Sequence, residues 1–360
     1  MTAYQQIAVG FLLLSGTAHA ADRGRMVEIQ YNGQKRTGTV VLHNETSGWF
    51  LERDGRLEAI TLGEVGEFRE LGRFQPWGIV GLREQLAREF GPKVTVSSSA
   101  HYLVVAPPGM GERFTRLFEN LYRQLVVVFT AQGFRIHEPE FPLVAVVLPD
   151  EASFTQYCRK EHVRPQPGLR GYYMPSSNRV ALFDATRNGL ADATDLDDTV
   201  IHEATHQVAF NLGIHSRMNA DPKWVIEGLA TVFEREGARL NDRRQPIASR
   251  INPDRFAWFQ RYREGRREPG SLAKLIQSDA FFDASPLDGY SEAWALTFYL
   301  LERRPTEYVA YLQRLSRRDP WAEYAAESRL KDFQAAFGRD LALLETQFLR
   351  FFADFTASAE

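Results

Sequence analysis

"TVIHEATHQVAFNLG", residues 199–213, decides how the chain is read. Val200, Ile201, Ala204, Val208 and Phe210 recur at helical spacing and Gly213 is a natural stop, which predicts a helix over about residues 195–212. Thr194 and Asp197 stand three apart ahead of the apolar run, like a capping box with Asp in place of Glu. His202 and His206 are four apart and therefore share one helical face. Two imidazoles and the Glu203 carboxylate cost free energy on a buried helix unless something satisfies them. The pattern is H-E-x-x-H, in which two histidines hold one zinc ion and the adjacent carboxylate is placed to act on water at that ion.

Two histidines rarely make a catalytic zinc site alone. "NADPKWVIEGLATVFEREG", residues 219–237, supplies a third donor. Asp221 suits an N-cap, Pro222 a first turn and Gly237 a stop, which predicts a second helix over about residues 222–236. Glu227 falls between Ile226 and Leu229 in its apolar part, where an unpaired carboxylate is expensive and a coordinated cation removes the problem. Gly228 and Ala230 are small enough to let this helix approach the first one closely, and the short connection makes the two neighbours. Other arrangements stay open at this point: an arginine partner for Glu227, a third ligand from Glu234, Glu236, Asp221 or His215, or a polar cluster without metal.

"HEATH", followed after twenty residues by the Glu of "WVIEGLA", resembles the gluzincin zinc metallopeptidases. More narrowly it resembles the peptidase MA-like bacterial proteins, including the domain of unknown function family 1570. The W-x-x-E-G-x-A signature makes the match specific, and the likeness covers roughly residues 95–310. It implies zinc held by His202, His206 and Glu227, with Glu203 as general base. It also implies a thermolysin-like lobe with an edge strand beside the active-site helix, for which "NRVALFD", residues 178–184, is the candidate. Two departures matter. Gluzincin aminopeptidases carry an upstream Gly-x-Met-Glu-Asn type motif whose Glu holds the substrate amino terminus; here the region reads "GYYMPSSN", without an acid, which favours endopeptidase over aminopeptidase activity. Thermolysin-like enzymes place an Asp four residues after the glutamate ligand to orient a histidine; here Thr231 stands there. Related enzymes often hydrogen-bond the oxyanion with a Tyr from a downstream helical lobe. Tyr290, at the start of a helix predicted from near Ser291, is the candidate, with a packing tyrosine as the alternative and His215 as runner-up.

The remaining chain frames this site. With 360 residues, about two domains are expected. Charge is close to balanced, 43 basic against 46 acidic residues, which gives no case for a nucleic-acid partner. "IAVGFLLLSGTAHA" ends in Ala18-His19-Ala20 and reads as a secretory signal cut after Ala20, and no other segment could span a bilayer; a periplasmic or secreted location follows. The single cysteine, Cys158, excludes an intramolecular disulfide and a cysteine zinc cluster, and reads as a buried thiol. Asn32-Gly33 and Asp54-Gly55 between alternating runs signal hairpins, so residues 25–73 are expected to form an SH3-like barrel or a curled meander. "GRFQPWG" reads as a hinge and "RYREGRRE", residues 261–268, as a solvated helix face. Trp294, Phe298 and Tyr299 read as core.

The expected fold is therefore α+β: a leader at 1–20, the small SH3-like β domain at 25–73, and a zincin-like domain at 78–356 with a mixed sheet followed by a helical lobe. The expected activity is peptide-bond hydrolysis in a peptide or protein substrate, by zinc-activated water with Glu203 as base and Tyr290 at the oxyanion. The competing expectation is a non-catalytic envelope binding or scaffold protein that keeps zinc for structure.

Overall fold

The computed structural model describes residues 24–185, 193–240 and 244–357. The leader expected at residues 1–20 lies outside them, as do the side chains of Thr194 and Asp197. The chain divides into two compact units, one of residues up to Arg116 with Pro139–Asp184, the other of Leu117–Glu138 with Ala185 onward. Among the described residues no helix is long and apolar enough to cross a membrane.

In the first unit, β1 (Arg25–Tyr31), β2 (Gln34–His43), β3 (Ser47–Glu52), β4 (Leu57–Thr61) and β5 (Phe68–Arg73) form an antiparallel sheet in the order β4-β3-β2-β1-β5. Asn32 and Gly33 both have positive φ, 50° and 74°, as a two-residue hairpin matched to strand twist requires. Val27, Ile29, Phe50 and Ile60 bury one face. Of the two expected forms, an SH3-like barrel or a curled meander, the strands β1 to β4 follow the meander and β5 returns beside β1; the sheet does not close, because β4 and β5 do not pair and remain its edges. The sequence of β5, "FRELGR", explains this, since nearly all of it is exposed and it has no apolar stripe to close against β4. The expected hinge is tied down. Phe74 is buried with its N–H on the Gly24 carbonyl, 2.9 Å, and the Trp77 N–H reaches the Arg53 carbonyl, 2.7 Å.

After α1 (Ile79–Phe90), a second, mixed sheet runs β6-β7-β8-β10-β9, from β6 (Thr95–Ser98), β7 (Tyr102–Ala106), β8 (Leu143–Leu148), β9 (Gly171–Met174) and β10 (Arg179–Phe183). α2 (Gly111–Ala131) and α3 (Glu151–Lys160) intervene in the chain. The candidate edge strand, β10, is interior: it lies parallel to β8 and antiparallel to β9, and the edges are β6 and β9. Every residue of β10 is buried, the mark of a central strand. Its Arg179 is buried too and makes a bidentate pair with Glu89, 2.8 and 2.9 Å. Cys158 is fully buried, as a structural thiol would be.

The second unit is helical: α4 (Ala193–Asn211), α5 (Lys223–Phe233), α6 (Glu236–Leu240), α7 (Pro253–Gly265), α8 (Ser271–Gln277), α9 (Ala280–Ala284), α10 (Pro286–Arg303), α11 (Pro305–Ser316), α12 (Ala326–Phe337) and α13 (Leu341–Ala357). Gly213, at φ 80°, follows α4. α10 is the central helix; Trp294, Phe298 and Tyr299 are buried, and rings of α13 pack on them, Phe352 on Trp294 at 5.7 Å and Phe348 on Tyr299 at 5.8 Å. Three sequence expectations change here. Pro222 occupies the N-cap of α5, and Asp221 is buried without capping it. Gly237 lies inside α6 and does not end α5, which stops at Phe233. The run at 261–268 is solvated only in part: Arg267 is buried and held by Glu292, 2.7 Å, and Glu345, 2.6 Å.

Gly228 also has a different neighbour from the one expected. A Cβ there would meet the Thr297 hydroxyl and the Ala293 carbonyl oxygen, the latter at 2.6 Å, so this glycine seats α5 against α10. Gly228→Ala therefore forces the two helices apart. The expected loss is about 1–3 kcal/mol, the range for overpacking, read as a lower urea midpoint; an unchanged midpoint would contradict this packing.

Candidate metal centre

His202, Glu203 and His206 lie on α4, and Glu227 in the middle of α5, which packs on α4. The structure brings the two imidazoles and the Glu227 carboxylate together. His202 Nε2 lies 3.1 Å from His206 Nε2 and 3.2 Å from Glu227 Oε2, and His206 Nε2 is 3.7 Å from the same oxygen. The rings are edge to face, 87° apart. Ligands about 2.1 Å from a tetrahedral zinc ion stand about 3.4 Å from one another. The three separations bracket that value, so the donor set fits zinc in chemistry and in spacing.

Glu234 supplies the orienting carboxylate that Thr231 cannot. The His202 Nδ1–H donates to Glu234 Oε1 at 2.8 Å, and Asn252 Nδ2 donates to Glu234 Oε2 at 2.7 Å. Arg239 holds the backbone at the same place, its guanidinium on the carbonyls of Phe233, 2.6 Å, and Glu234, 2.5 Å. A carboxylate accepts only, so it fixes the proton on Nδ1 and leaves the Nε2 lone pair for an ion. Glu234 thus pairs with His202 and Asn252 and does not join the cluster of His202, His206 and Glu227. Its sequence signal is spacing: it follows Glu227 by seven residues, two turns along the same face. Asn252 carries no such signal, because it reaches the site from the cap of α7.

Glu236, His215 and Asp221 do not join the donors. Glu236 is exposed. His215 and Asp221 are 2% and 6% exposed and face each other, Nδ1 to Oδ2 3.6 Å, which removes His215 as an oxyanion donor. Glu203 is half-buried beside His202 and makes no hydrogen bond or ion pair with a described residue. Tyr290 lies within α10 and not at its start, with its ring edge-on to Phe282 at 5.3 Å. Burial, then the carboxylates of Glu227 and Glu203, push its hydroxyl above the ordinary value, with the Arg255 charge opposing them. The phenol therefore lies beside Glu227 and Glu203 and stays protonated.

Burial alone would push His202 down. Its hydrogen bonds to Glu227 and Glu234, with the charges of Glu234 and Glu203, outweigh burial and hold it well above 6.5. Burial likewise pushes Glu227 up, and the two imidazoles outweigh it and hold the carboxyl well below 4.5.

Residues 197–322 match the model of a family described as "Protein of unknown function (DUF1570)", a span that includes His202, Glu203, His206, Glu227 and Tyr290. No curated protein matches the chain significantly. Among solved structures, the chain is similar to the catalytic module of the metalloprotease ZmpA from Clostridium perfringens, at 12% identity and a TM-score of 0.35. The likeness covers 90% of this chain and 66% of that module.

Two outcomes follow from the geometry. Glu234→Ala should weaken zinc binding about 10- to 100-fold, measured by competition with a chromophoric chelator; unchanged affinity would contradict the orienting role. In chelator-treated protein, the His202–Glu227 pair has a defined pH window. The raised His202 contributes stability below 6.5 that is lost as pH climbs through its folded value, and the depressed Glu227 contributes stability above 4.5 that is lost as pH falls through its own. The gap in Tm between the wild type and Glu227→Gln should be widest between those limits. A gap that grows steadily toward alkaline pH would reverse the sign.

Proposed function

We propose that the chain is an exported zinc-dependent peptidase of gluzincin type, with zinc held by His202, His206 and Glu227. One observation carries the reading: the three donors converge while Glu203, on the same helix, keeps its carboxylate uncommitted beside them. Zinc bound there supplies Lewis acidity and makes water acidic enough to react near neutral pH. Glu203 takes the proton from the attacking water and returns it to the leaving amine. Tyr290, protonated and facing Glu227, donates its hydroxyl to the oxyanion that forms at the scissile carbonyl. Glu234, backed by Asn252, keeps His202 in the tautomer that leaves Nε2 free. The absence of an acid in "GYYMPSSN" supports cleavage within chains over removal of amino-terminal residues. The apolar run ending at Ala20 supports export.

Glu203→Gln should keep one zinc per chain and lose about 10²- to 10⁴-fold in casein digestion, the usual range for a general base. Tyr290→Phe should lose about 10²-fold in kcat with little change in KM. A Glu203→Gln protein that digests casein like the wild type would overturn the mechanism, and one that neither binds a hydroxamate nor differs from an inactive wild type would favour a scaffold role.

A further inference from the structure

We propose that Lys223 and Arg255 form a receptor for a carboxylate group of the substrate, next to the metal centre; the inference rests on the peptidase reading above. Lys223 is the first residue of α5, four before Glu227, so the two share a helical face one turn apart. Arg255 lies in the first turn of α7, three residues after the Asn252 that holds Glu234. Both cations converge on Tyr290 from different helices. The Lys223 ammonium is 5.8 Å and the Arg255 guanidinium 5.6 Å from its ring centroid, and Lys223 also sits 4.9 Å from that of Phe282. The phenol they flank borders Glu203 and Glu227.

Both side chains are half-buried, yet neither makes an ion pair or a side-chain hydrogen bond with a described residue. Other arginines of this unit behave differently. Arg250 takes Glu302, Arg266 takes Asp288, Arg267 takes Glu292 and Glu345, and Arg329 takes Asp279. Three of the nearby acids are already committed: Glu227 to the imidazoles, Glu234 to His202 and Asn252, and Asp279 to Arg329 and to the backbone N–H of Lys223; Glu203, the fourth, forms no ion pair with either cation. Partial desolvation of a cation without a counter-charge is unfavourable, and a cation–π contact offsets only part of that cost. An incoming carboxylate completes the arrangement, with Arg255 offering a planar fork and Lys223 a point charge. The same two charges repel a substrate amino terminus, in keeping with the missing acid in "GYYMPSSN".

The test uses the zinc-loaded full chain and matched peptide pairs. One pair differs in a C-terminal acid or amide, another in Glu or Gln beside the scissile bond. The wild type should prefer a carboxylate member by roughly tenfold or more in kcat/KM, mainly through KM, with the preference shrinking as salt rises. Acid-over-amide preference identifies a chain terminus as the source, and Glu-over-Gln preference an acidic side chain. Arg255→Gln and Lys223→Met should bring the ratio toward one, and Lys223→Arg should retain it. Equal rates across both pairs, or ratios untouched by the substitutions, overturn the receptor while leaving the peptidase intact. If the wild type cuts none of the peptides, the peptidase reading fails by itself. Calorimetric binding of the same pairs to Glu203→Gln then still decides the receptor, since equal affinities for acid and amide and for Glu and Gln would refute it.

Discussion

Three donor atoms held within 4.8 Å of one another, on two helices whose described residues are largely buried, are the constraint on which the second unit depends. Two imidazoles and a carboxylate crowd together only if a proton or a cation lies among them. Without an ion, the raised His202 and the depressed Glu227 record a proton held between opposed charges. With a divalent ion, the same three lone pairs become ligands and the proton leaves.

Packing outside the cluster supports that convergence. Gly228 lets α5 rest on α10, beside the Ala293 carbonyl, and thereby fixes the helix that carries Glu227. α10 is held in turn by the aromatic rings of α13 and by the buried Arg267 between Glu292 and Glu345. Arg239 and Asn252 hold the backbone and the carboxylate of Glu234, so the tautomer of His202 is set by residues that need not touch a substrate. Tyr290, on α10 itself, reaches the same place from the opposite helix. One buried helix therefore both braces the helix that carries Glu227 and presents the phenol.

Local periodicity made much of this legible. The i, i+4 histidines and the stranded carboxylate at 227 needed only helical geometry, and Asn32-Gly33 and Asp54-Gly55 needed only turn chemistry. Features decided by distant partners were not legible. Closure of the first sheet depends on β4 and β5 pairing, which no hairpin signal governs, and the exposed β5 does not supply it. The interior place of β10 depends on its parallel partner β8, more than thirty residues earlier in the chain. The small residue at 228 was readable as a close approach, but its partner, α10, lies too far along the chain to be named. Asp221 has the composition of a cap yet turns inward toward His215. Glu234 is readable from sequence as a candidate donor, but its pairing with His202 is not, because Thr231 holds the i+4 position and the carboxylate comes one turn later.

The most direct measurement is zinc-edge X-ray absorption on the purified full chain, with metal content determined on the same sample. The account predicts one zinc per chain, two imidazole nitrogens at about 2.0–2.1 Å and oxygen ligands at about 2.0–2.2 Å, with one imidazole lost from the spectrum, or the metal lost altogether, in His206→Ala. Stoichiometric zinc with a number of imidazoles other than two, or a spectrum unchanged in that variant, would contradict it.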